Sequence, residues 1–190
     1  MPNYGDPVYW DERYAKNGSN NMFDWLEDFA SLKKLLSQYV KPTDKVLIVG
    51  CGNANFSEDM YDAGYQNLYN IDISSVCITQ MQQRNRKRKH MKYEKMDCCE
   101  LKYDDNYFDV AIDKSTIDAI LCGDNAYLHT ALMLKEGQRV LKEGGYYIAI
   151  SYGKPATRSL HFERKFLSWK LKEYIFYPAS MEKKKEIEEA

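Results

Sequence analysis

Apolar and polar positions along the chain fall into two alternating rhythms. Short apolar runs read as strands: Lys45–Val49 and Leu68–Ile71 as strands buried on both faces, Met91–Met96 as a weaker one, and Phe108–Ile112 and Tyr146–Ser151 as further strands. The first ends at Gly50, the next three at Asp72, Asp97 and Asp113, and the fifth follows the Gly144-Gly145 turn. A sixth aromatic and β-branched run, Leu171–Tyr177, is interrupted by charge. Between the runs lie segments of helical period. In 24–39 the residues Leu26, Phe29, Leu32, Leu36 and Tyr39 step by three and four onto one face, and Pro42 stops the helix. The spacing also predicts helices over 57–63, 75–88 and 125–141. Strand alternating with helix means a parallel sheet with right-handed crossovers and both faces covered. The expected fold is therefore α/β: a Rossmann-like, doubly wound, mostly parallel sheet. Residues 1–180 are expected as one domain, with 1–44 as an N-terminal segment and helix, 45–180 as the core, and 181–190 as a mixed-charge tail.

Composition narrows the function classes. The 190 residues are 44% hydrophobic, enough for a packed core and too many for a disordered chain. Twenty-seven basic side chains nearly cancel 28 acidic ones, so nothing global attracts nucleic acid or an acidic membrane. No apolar run is long enough to span a bilayer, and the first residues lack a signal-peptide pattern. The five cysteines contain no C-x-x-C pair, so free thiols, no structural zinc and a reducing, cytoplasmic compartment are expected. A basic cluster over 84–92 reads as the exposed end of a helix, with a grip on an acidic partner or nuclear targeting as the alternatives.

Candidate chemistry gathers at the strand ends, where open parallel sheets bind ligands. Gly50-Cys51-Gly52-Asn53 follows the first strand, and Asp72 lies 20 residues beyond Gly52, the spacing that brings a ribose-binding carboxylate beside a glycine loop. The sixth position of a dinucleotide fingerprint is Asn55, and the Gly-Lys-Ser/Thr of a phosphate loop is absent. An adenosine cofactor without phosphate fits this shorter loop, and S-adenosylmethionine is the one expected. The bland alternatives are a tight turn for the glycines, an N-cap for Asp72, and core-capping for Trp10, Tyr14 and Trp25.

Val46–Asn53 resembles the first motif of the seven-strand, class I S-adenosylmethionine-dependent methyltransferases. Tyr9-Trp10-Asp11-Glu12-Arg13-Tyr14 and the stretch Phe108–Ala119, with its Asp113-Lys114-Ser115-Thr116-Ile117-Asp118-Ala119 end, resemble the branch that holds elongation factor 1-alpha lysine methyltransferases. The resemblance implies a protein-lysine N-methyltransferase with elongation factor 1-alpha as substrate. Small-molecule or RNA methylation, or a non-catalytic cofactor-binding module, remain the alternatives, and oligomeric state is open. It further implies that Gly50 and Gly52, with Cys51 and Asn53 in the same loop, lie under the cofactor. Asp72 would take its ribose, Ile73 would pack on adenine, and Asp97 with the backbone of Cys98 would meet the adenine amino group. Trp10, Arg13, Tyr14 and Trp25 would close over it, Arg13 pairing with its carboxylate. Lys114 would line the methyl channel, with Asp113 or Asp118 orienting the incoming amine. Three departures stand out: Ile48 where the superfamily often has an acid, Ala54 for a third glycine, and no seventh strand in the charged 181–190 tail.

Overall fold

The structure is a computed structural model that describes residues 3–18 and 21–176. The five apolar runs become β1 (Val46–Val49), β2 (Leu68–Asp72), β3 (Met91–Lys95), β4 (Phe108–Lys114) and β5 (Leu141–Ile150). They form one sheet in the order β3-β2-β1-β4-β5, with every pair parallel. β1 is buried throughout because it sits at the centre, and its alternating side chains feed two cores. Val46 and Ile48 pack into one with Phe29, Leu32, Phe56, Met60 and Ile78; Leu47 and Val49 pack into the other with Ile117, Met133, Leu134 and Val140.

The first face is covered by α1 (Pro7–Asn17), α2 (Phe29–Leu36), α3 (Phe56–Asp62) and α4 (Ser75–Arg84). The second carries α5 (Thr116–Ile120), α6 (Ala126–Val140) and α7 (Pro155–Phe162). Helix starts follow local chemistry. Asp6 caps α1 by accepting the Val8 N–H, with Pro7 at its first position; Ser74 caps α4 through the Cys77 N–H.

Several expectations are corrected. The helix expected over 24–39 is shorter, because Leu26 is in the left-handed region (φ 63°) and Asp28 caps α2 through the Ser31 N–H. The helices α1, α5 and α7 are additional. β5 begins at Leu141, and Gly144-Gly145 lies inside it at a register shift rather than in a turn before it. Residues 171–176 form no strand: Leu171, Tyr174, Ile175 and Phe176 stay largely exposed, and Tyr174 meets Tyr39 near the end of α2. Tyr177 and the 181–190 tail lie outside the described residues. Among the described residues β5 is therefore a sheet edge.

Candidate functional site

The carboxyl ends of β1 and β2 create a loop that only glycine can build. Gly50 and Gly52 both have positive φ, 62° and 55°. A Cβ at Gly50 would stand 2.1 Å from Thr116 Oγ1, which itself donates to the Val49 carbonyl at 2.8 Å. A Cβ at Gly52 would come to 3.0 Å from the Tyr14 hydroxyl. The Gly52 N–H donates to one oxygen of Asp72 and the Ser74 N–H to the other, both at 2.9 Å. Asp72 is buried, which pushes its pKa up, and these two N–H groups work against that shift. A carboxylate offers about four lone-pair directions, so the remaining ones suit a vicinal diol such as a ribose.

Above this loop is a cavity of about 490 Å³, a size that suits a nucleoside ligand. Gly50, Cys51, Gly52, Asp72 and Ile73 line its β1–β2 side, and Asp97 and Cys98 its β3 side. Trp10, Tyr14 and Trp25 close it, and Lys114 and Asp118 line the β4 side. The lid is an aromatic cluster: Trp10 stacks on Tyr14 at 5.9 Å, donates its indole N–H to the Tyr4 carbonyl at 2.7 Å, and Trp25 meets Phe23 edge-on at 4.8 Å. Asp11 ties α1 to the start of α4 by accepting from Ser74 Oγ at 2.5 Å and the Val76 N–H at 3.3 Å.

Three expected site residues stand outside the lining. The Arg13 guanidinium lies 5.3, 5.6 and 5.9 Å from the rings of Phe23, Trp25 and Trp10, and donates to the Tyr9 hydroxyl at 3.1 Å. It braces the lid from behind. Asn53 is a strap anchor: its amide donates to the Asn21 carbonyl at 2.9 Å and accepts from the Phe23 N–H at 3.3 Å. Asp113 is fully buried, and one oxygen accepts the Thr116 and Ile117 N–H groups at 2.8 and 3.2 Å. Burial pushes its pKa up to about 7; its hydrogen bonds organise the loop after β4, and it lies outside the cavity lining.

The other two β4-side expectations are present but committed. Asp118 pairs with Arg158 at 2.6 Å and accepts from Ser151 Oγ at 2.7 Å and the Tyr152 N–H at 3.1 Å. These contacts tie the Asp118 carboxylate to the loop after β5 while it lines the cavity. The Lys114 ammonium pairs with Asp24 and donates to the Trp25 carbonyl at 2.6 Å, so it pins the 21–26 strap over the cavity. Thr116, Phe23, Met96, Cys99 and Tyr152 also line the cavity and were not singled out from sequence; only Thr116 lay inside a quoted motif. Two basic-cluster residues are spent on ion pairs, Arg84 on Glu58 at 2.5 Å and Arg88 on Asp62 at 2.7 Å, and Arg84 also donates to the Asn53 carbonyl.

Comparisons with known proteins identify the family. A family model described as a methyltransferase domain matches residues 47–149. A mouse protein named "eEF1A lysine and N-terminal methyltransferase" is 42% identical over 151 residues, which is 78% of this chain and 22% of that protein. A second mouse protein, "EEF1A lysine methyltransferase 4", is 32% identical over 177 residues, covering 89% of this chain and 69% of its own length. The crystal structure of a Pyrococcus horikoshii protein superposes with a TM-score of 0.55 at 26% identity, over 78% of this chain and 62% of that one. This chain thus spans about a fifth of the length of the first curated relatives it matches.

Proposed function

We propose, from the premise that this chain belongs to the S-adenosylmethionine-dependent methyltransferases, that it methylates a lysine side chain of a protein, with elongation factor 1-alpha as the substrate. The observation that carries this reading is the 32% identity to a named lysine methyltransferase along most of both chains. The segment Lys114–Ala119 supports it, since Lys114, Thr116, Asp118 and Ala119 all face the cavity. We read residues 1–180 as one methyltransferase domain and the cytoplasm, where that substrate resides, as the working compartment. No helix among the described residues is long and apolar enough to cross a membrane.

Bound S-adenosylmethionine supplies an electrophilic methyl group on a sulfonium. The chain's own task is alignment, which is where most of the rate advantage of such a displacement lies. Asp72 holds the ribose hydroxyls, and the Gly50–Gly52 loop lets backbone approach without a side chain between. Trp10, Tyr14 and Trp25 exclude water above the cavity. Burial and the nearby Asp72 charge raise the Tyr14 pKa, so its hydroxyl stays neutral beside Gly52. Reaching the neutral amine of a lysine at pH 7.4 costs about 4 kcal/mol. With Asp113 buried and Asp118 bound to Arg158, the amine loses its proton to solvent before docking.

Incubation with a radiolabelled methyl donor and purified elongation factor 1-alpha tests this, beside a eukaryotic lysate split for protease and nuclease digestion. The expected result is label on a lysine of the factor and a protease-sensitive, nuclease-resistant signal in lysate. Nuclease-sensitive label, or cofactor binding without turnover on any pool, overturns it.

A further inference from the structure

The cavity wall beyond β3 carries two thiols, on Cys98 and Cys99, to which the proposed methyl transfer assigns no role. One carboxylate oxygen of Asp97 and the sulfurs of Cys98 and Cys99 all lie within 4.8 Å of one another, and all three residues face the cavity. On a strand, neighbouring cysteines would point to opposite faces. Here the Glu100 N–H donates to the Asp97 carbonyl at 3.1 Å and closes a turn around the pair, so both sulfurs leave on the same side as the carboxylate.

We propose that Asp97, Cys98 and Cys99 form a binding site for a thiophilic divalent cation of the zinc type, and that this cation and the adenosyl end of the cofactor exclude one another. Two thiolates and one carboxylate suit zinc or cadmium, whereas magnesium and calcium require oxygen ligands throughout. Tetrahedral coordination with Zn–S near 2.3 Å places ligand atoms about 3.7 Å apart, so binding would draw together donors that now lie within 4.8 Å of one another. Asp97 spends one oxygen on the Cys99 N–H at 2.8 Å; its other oxygen has no protein partner among the described residues. The Cys99 sulfur donates to the His129 carbonyl at 3.4 Å, a weak contact that coordination replaces. Each thiol releases its proton to solvent as the metal–sulfur bond forms, two protons per cation. A fourth ligand would come from solvent or from His129, which belongs to the same cavity lining. Mutual exclusion rests on the proposed cofactor reading, because the three donors line the same cavity as the Gly50–Gly52 loop and Asp72.

The test titrates the full chain with Cd²⁺ under reducing, chelator-free conditions and follows the thiolate-to-cadmium charge-transfer absorbance in the ultraviolet. One equivalent is expected to saturate the band, with two protons released and full reversal by EDTA. Cys98→Ser/Cys99→Ser should abolish the band while circular dichroism shows a retained fold, and Cys122→Ser should keep it. A band that survives in the double variant, or no band in the wild type, overturns the site. Calorimetry with S-adenosylhomocysteine then tests exclusion: its apparent Kd should rise about tenfold at cadmium near ten times the metal's own Kd. An unchanged Kd overturns exclusion and leaves the site. If the thioether fails to bind the metal-free protein while the band behaves as expected, the cofactor reading fails and the cation site stands.

Discussion

The ends of β2 and β4 carry the same side chain in the same kind of hydrogen bonding. Asp72 and Asp113 are both buried carboxylates, and each accepts two backbone N–H groups from the loop that follows a strand. Strand parity separates them. Asp72 follows Leu68 and Asn70 on the face covered by α1–α4, beneath the aromatic lid; Lys114 shares that side by its contacts with Asp24 and Phe56. Asp113, one residue earlier on β4, turns toward the opposite core, where Tyr147 lies. On the proposed reading, a carboxylate at a strand end serves as a ligand group or an internal cap according to which face it occupies.

The comparison breaks most sharply at Asp72. Asp72→Ala should weaken S-adenosylhomocysteine by two to three orders of magnitude, since two charge-assisted hydrogen bonds are worth about 3–4 kcal/mol together, and calorimetry reads the loss. Asp113→Ala should act on folding instead. It leaves the Thr116 and Ile117 N–H groups without an acceptor and should cost about 3 kcal/mol in a urea titration, with a smaller change in cofactor affinity. Equal affinity losses in the two variants would erase the distinction.

Titration sharpens the same contrast. The Asp113 carboxyl keeps its proton up to about pH 7 in the fold, because burial disfavours its charge, but loses it near pH 4 when unfolded. Between those values the native state holds the extra proton, so this group's contribution to stability falls as pH rises from about 4 to about 7 and is flat above. Urea midpoints of wild type and Asp113→Asn across that range should diverge by this slope; parallel curves would contradict it. The smallest expected effect is at the strap. Lys114→Met removes the Asp24 pair and the Trp25 carbonyl bond, and should raise the cofactor KM about tenfold while hydrogen exchange over 21–26 speeds up. Unchanged exchange there would remove Lys114 from the latch.

The sheet was readable from sequence because apolar runs bounded by turn residues alternate with helical segments, although only β1 and β2 are buried throughout, while β3 and β5 keep exposed positions. The glycine loop and Asp72 were readable because their separation is fixed by one strand–helix–strand unit. What escaped depends on the direction of side chains. Asp113 and Lys114 are neighbours in a motif, and only the pleat decides which of them reaches the cavity. Arg13 has the charge to meet a carboxylate, yet the rings of Phe23, Trp25 and Trp10 hold it behind the lid. Asn53 sits in the glycine loop but bonds the strap, a long-range contact without local signal. Helix α1 begins at Asp6-Pro7, a local start signal that the reading of its aromatic residues as a cover left unused. Leu171–Phe176 had strand composition but no neighbouring strand to pair with, and composition alone does not make a sheet.

A crystal structure of the chain with S-adenosylhomocysteine bound tests the central claim most directly. The account predicts both ribose hydroxyls on the Asp72 carboxylate, with Trp10 and Trp25 closed above and Asp113 still capping Thr116 and Ile117 without touching the ligand. A ribose bound away from Asp72, or a ligand reaching Asp113, would contradict it.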